Sequence, residues 1–143
     1  MNESTSLRTR KHIFFSLKIA GAILGGSLLL TLGRQQGWLD AEFVMRGLNV
    51  ILGLAFAVYG NAIPKMMDAT PPNNLREATV AQAIGRVAGW SMTLAFVVWT
   101  ALWVFAPLPI AKIASIAAVV ANLVVMVGYS IWKVAATRAS SSV

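Results

Sequence analysis

Residues 110–132 read IAKIASIAAVVANLVVMVGYSIW, and this stretch decides the fold. It holds one charge, Lys112, and one side-chain amide, Asn122. Its length matches the roughly 20 apolar residues that carry a helix across a hydrocarbon core. It lacks the short alternation of a transmembrane strand. A backbone in lipid must satisfy its hydrogen bonds within its own segment, so helix is the expected state. Three runs of the same kind precede it, at about 13–32, 43–62 and 85–105. The chain is therefore expected to be an all-α membrane protein. Its residues 1–143 would form one integral membrane domain, a bundle of four transmembrane helices.

Composition points the same way. Of 143 residues 57% are hydrophobic and 12% charged, against about 25% charged in an average soluble domain. A chain this short cannot hide so much apolar surface in a water-facing globule. It contains no cysteine, which excludes disulfides and thiolate chemistry. The net charge of +7 does not imply nucleic acid, because the basic residues are spread between the apolar runs. Such a pattern fits membrane topology and attraction to an anionic inner leaflet.

With the N-terminus inside, the inner side holds Arg8, Arg10, Lys11, Lys18, Lys65, Arg76, Arg86, Lys133 and Arg138. The outer side holds Arg34, Arg46 and Lys112. This asymmetry predicts N-in, C-in, with an inner connection over 63–84. Trp38, Trp99 and Trp103 then lie towards the outer interface, and Tyr59, Trp90, Tyr129 and Trp132 towards the inner one. The first run has a basic start but ends in Thr31-Leu32-Gly33-Arg34-Gln35, without a small-x-small cleavage site. It reads as a retained helix. These features together predict a multi-pass membrane protein.

The connections differ in kind. Ala106-Pro107-Leu108-Pro109 is short enough to force an antiparallel hairpin. In the inner connection, Pro64 is expected to end the second helix or kink its last turn, and Pro71-Pro72 to break any helix. Asn74-x-x-Glu77 resembles a capping box, and a short amphipathic helix is expected to follow it. That helix would lie on the inner surface or extend the third helix. The small, polar tail from Ala135 to Val143 is expected to be disordered.

Chemistry has little to work with. His12 is the single histidine, and Glu3, Asp40, Glu42, Asp68 and Glu77 all fall outside the predicted membrane core. No nucleophile, zinc or phosphate-loop motif occurs. No catalytic residue, metal site or cofactor is expected. The first helix also lacks the buried acid that proton-coupled carriers use. Small residues at helical spacing permit close packing: Gly21/Gly25, Gly85/Gly89, Gly53/Ala57/Asn61 and Ala114/Ala118/Asn122. They would serve the bundle itself, a homodimer or another protein partner. Ser91, Thr93, Thr100, Ser115 and Ser130 can bond to their own helices. Asn49 and Asn122 are expected to bridge to another helix, or else to line a path for a solute.

Gly60-Asn61-x-x-Pro64-Lys65, followed after a polar stretch by Arg86-x-x-Gly89, resembles the SdpI family over about Val58 to Trp90. Members of that family are bacterial multi-helix membrane proteins, named for an immunity protein against a secreted toxic peptide. That protein also holds a transcriptional repressor at the membrane. The resemblance implies a non-enzymatic, multi-pass protein of a bacterial inner membrane, acting in toxin or stress resistance or in signalling through binding at its cytoplasmic loop, with Gly60, Asn61, Pro64, Lys65, Arg86 and Gly89 as its functional residues. Two departures stand against it. The family's loop usually carries Gly-Ile-Arg-x-Pro-Trp-Thr, where this chain has Pro71-Pro72-Asn73-Asn74. Its approach to the next helix usually carries Trp-x-x-x-His-Arg, where this chain has Gly85 in the histidine position. A small transporter or channel, or a structural subunit of a larger complex, are the other readings of the same residues.

Overall fold

In a computed structural model the chain is described over residues 3–67 and 75–139, almost all of them in four helices. These are α1 (Glu3–Gln35), α2 (Ala41–Met67), α3 (Leu75–Phe105) and α4 (Leu108–Ala139). No strand occurs among the described residues. Each helix contains a span long and apolar enough to cross a membrane: Ile13–Gln35, Ala41–Pro64, Ala78–Phe105 and Leu108–Thr137. The chain is an all-α, four-helix membrane protein.

The two short connections are closed by local chemistry. Gly37 ends α1 with a left-handed φ of 75°. Around it Trp38 N donates to Gly33 O and Gly37 N to Arg34 O, each at 3.0 Å, the bond pair of a Schellman cap. Asp40 then caps α2, its Oδ1 accepting from Phe43 N at 2.6 Å. Glu42 adds a favourable negative charge to the first turn. Between α3 and α4 the chain turns at Ala106 and Pro107, whose carbonyl accepts from Ala111 N at 2.9 Å and starts α4.

The helices outrun the apolar stretches that announced them. α2 does not stop at residue 62 but continues past Pro64 to Met67, and α3 begins at Leu75 rather than near 85. The expected inner connection of 63–84 therefore shrinks to residues 68–74, and the predicted amphipathic helix is an extension of α3. Helix α4 likewise runs to Ala139, through much of the tail expected to be disordered. The physical reason is shared by the extensions of α3 and α4. Hydropathy marks the lipid-facing length, whereas backbone bonding continues wherever Ala, Gln, Glu, Lys and Arg favour it. Asn74, Pro71 and Pro72 lie outside the described residues.

Each helix packs on its neighbour in the chain. Among the described residues α1 touches only α2, and α4 touches only α3. The result is an antiparallel row. Its turn end carries both short connections, and its loop end carries residues 67 and 75, the N-terminal end of α1 and the C-terminal end of α4. The α1–α2 contact is made by complementary knobs and hollows. Ile51 fills the space over Gly26, and Leu30 fills the space over Gly47. On α3 the exposed positions Arg86, Trp90, Leu94, Val97, Ala101 and Val104 form one stripe at helical spacing, the face a bilayer would cover.

Candidate functional site

The longest and tightest contact is the seam between α2 and α3. On α2 it runs through Arg46, Gly53, Ala57, Gly60 and Pro64, steps of three and four residues or their sum, as in a left-handed helix pair. On α3 it runs through Gly89, Thr93, Phe96, Thr100 and Trp103. Small residues bring the two backbones together. A methyl group on Gly53 would strike Thr100 Oγ1 and stand 2.8 Å from Trp99 Cδ1. One on Gly60 would stand 3.0 Å from both Thr93 N and Thr93 Oγ1. Polar groups stitch the same line. The Thr93 hydroxyl is shared between Gly89 O at 2.8 Å and Ala57 O across the seam at 3.3 Å. Trp99 Nε1 donates to Asn49 O at 3.0 Å. Phe56 and Phe96 stack with ring centroids 4.8 Å apart.

Two prolines decide what happens at the ends of this seam. Proline lacks an N–H, so the carbonyl four residues before it loses its helical partner. Pro64 frees the Gly60 carbonyl in this way. That oxygen lies 2.8 Å from where a Gly89 Cβ would be, and the Pro64 ring carbons lie 2.7 and 2.8 Å from the same point. Only a glycine fits there. Pro107 frees the Trp103 carbonyl at the other end. Here Arg46 Nη1 reaches over from α2 and donates to Trp103 O and Ala106 O, each at 2.9 Å. Its Nε donates to Glu42 Oε1 at 3.0 Å. A cation at a helix C-terminus, bonded to otherwise bare carbonyls, is favoured by both charge and hydrogen bonding.

The sequence-derived residues separate into groups on this frame. Gly60, Pro64 and Gly89 come together at one contact. Asn61 is exposed and off the seam, so the Gly53/Ala57/Asn61 face gives way to Gly53/Ala57/Gly60. Arg86 is exposed on the outward stripe of α3 beside Trp90. Lys65 belongs to the last turn of α2, and its side chain lies outside the described residues. No match was found between this chain and any protein-family model, curated protein or solved structure.

The two intramembrane amides do not behave as expected. Asn49 Nδ2 donates at 2.8 Å to Met45 O in its own helix rather than bridging to another, because the carbonyl one turn back is within reach of a short amide. Asn122 is buried in α4, and its Oδ1 meets no donor. Among the described residues α2 and α4 make no contact. The hydroxyl expectations hold. Thr93, Thr100 and Ser130 bond to the carbonyl four residues back, and Ser91 and Ser115 to the carbonyl three back.

Gly85 is buried, as internal packing requires, but Gly21 and Gly25 have open space around them. On α4 the buried face is Ala111, Ser115 and Asn122, with Ala114 and Ala118 half-buried beside them. Sequence reading passed over Arg46, treating it as an outer-side charge. The signal was present: Pro107 stands four residues after Trp103, so a carbonyl there needs a donor from elsewhere. Among the described residues no group of three His, Asp or Glu side chains gathers to hold a metal.

Proposed function

We propose that this is a non-enzymatic bacterial inner-membrane protein of SdpI-like type, acting in toxin or stress resistance or in signalling through binding at the inner, loop end of α2 and α3. The observation that carries the reading is the convergence of Gly60, Pro64 and Gly89. Three residues picked out by their resemblance to one family meet at a single contact although they come from two helices. That contact fixes how the two helices leave the membrane. It leaves Asn61 and Arg86 exposed next to it and sets the origin of the segment that joins Met67 to Leu75. The basic residues assigned to this side by the positive-inside rule make it a surface for anionic lipid headgroups or an acidic partner segment.

Deleting the gene and challenging the cells with envelope-active peptides tests the proposal. Reduced survival, or altered expression of neighbouring genes, is the expected result. It should be restored by the wild-type chain and not by the Asn61→Ala/Arg86→Ala variant at equal membrane level. A deletion without phenotype under these stresses, or full rescue by the double variant, would remove the basis of this reading.

A further inference from the structure

Asn122 lies near the middle of α4, 8% exposed, with its Oδ1 buried and without a hydrogen-bond donor. A bare amide oxygen is costly in a low-dielectric interior, and lipid offers it nothing. The surrounding backbone cannot help, because its N–H groups are used inside the two helices. Asn122 is as far beyond Leu108, the first residue of α4, as Ser91 is before Phe105, the last residue of α3. Both helices rise equally per residue, so the two side chains sit at the same depth in the hairpin. Ser91 shares a face of α3 with buried Ala88 and half-buried Ala95, at the spacing of one helix side. Asn122 shares the buried face of α4 with Ser115 and Ala118, and that face looks at α3, the one neighbour of α4 among the described residues.

We propose that Asn122 and Ser91 together bind a water molecule inside the α3–α4 seam. The water donates one hydrogen to Asn122 Oδ1 and the other to a lone pair of Ser91 Oγ. The Ser91 hydroxyl keeps its own hydrogen on Ala88 O, a bond of 3.2 Å that is long for a hydroxyl donor. Both water hydrogens and both acceptors are then used, within the two to four partners an enclosed water requires. The site is a polar pivot at membrane mid-depth, apart from the α2–α3 seam and independent of the function proposed above.

Water-edited solid-state NMR on the full chain in lipid bilayers tests it. Magnetisation from water should reach the Asn122 side-chain carbon well before the neighbouring Ala118 methyl group. In Ser91→Ala the Asn122 signal should fall towards that of Ala118. Absence of transfer in the wild-type chain, or transfer unchanged in Ser91→Ala, would overturn the proposal. Asn122→Leu gives an independent readout. Loss of a satisfied amide should lower the thermal midpoint, whereas a midpoint unchanged or raised would mean that the oxygen was dry, and the site would be withdrawn.

Discussion

At the scale of single residues, the α2–α3 seam is defined by what cannot be added to it. Gly89→Ala would place a methyl group against the Pro64 ring and the Gly60 carbonyl, neither of which can swing aside. Overpacking of this kind costs about 1–3 kcal/mol. Gly21→Ala and Gly25→Ala add the same atom where nothing lies within 4 Å. They should be neutral, or stabilising by roughly 0.5–1 kcal/mol through helix propensity. Thermal unfolding of the three variants in one detergent checks the order, and equal midpoints would refute the assigned seam. Arg46 supplies the matching prediction at the turn end. Arg46→Gln removes a charged donor from two carbonyls and should cost roughly 1.5–3 kcal/mol. Glu42 is more than half exposed, so Glu42→Gln should cost less than about 1 kcal/mol. Comparable losses in the two variants would show that the ion pair, and not the capped helix end, is what matters.

At the scale of elements, α2 and α3 communicate through a proline-freed carbonyl at each end of their contact. A double-mutant cycle tests the loop-end contact. With the ring gone in Pro64→Ala, Gly89→Ala should cost less than it does in the wild-type background, with a coupling of about 0.5–3 kcal/mol. Strict additivity would mean that the two positions do not touch. Arg86→Ala, on the exposed stripe, should leave stability nearly unchanged, since an interfacial basic residue is worth about 1 kcal/mol. It should weaken the phenotype nonetheless, measured by complementation at matched membrane levels.

Much of this was legible in the sequence. The four spans follow from hydropathy, and of the six residues the resemblance names, Gly60, Pro64 and Gly89 meet at one contact. What escaped was of two kinds. Helix ends lie beyond the apolar runs, so α2 and α3 extend towards residues 68–74 with no hydropathy signal to mark them. Partner choice for a polar side chain depends on which turn of which helix it faces. Asn49 therefore settled on its own helix, and Arg46 crossed to another.

At the scale of the molecule, the helices form an antiparallel row in which, among the described residues, α1 is held by α2 alone, chiefly where Ile51 and Leu30 fill the hollows over Gly26 and Gly47. Few buried contacts predict early opening. Amide exchange in bilayers or detergent should therefore be faster in the membrane span of α1 than in that of α3, and equal protection would contradict the row. The distribution of Lys and Arg predicts that both ends of the chain and the connection after Met67 share the inner side of the membrane, with the two short turns outside. A chain without cysteine allows a direct measurement: single substitutions Gln36→Cys, Asn73→Cys and Ser141→Cys, each labelled in intact cells with a membrane-impermeant maleimide. The account predicts that Gln36→Cys is labelled at once, and that Asn73→Cys and Ser141→Cys react only after the membrane is permeabilised. Labelling of Ser141→Cys or Asn73→Cys in intact cells, with Gln36→Cys protected, would contradict it.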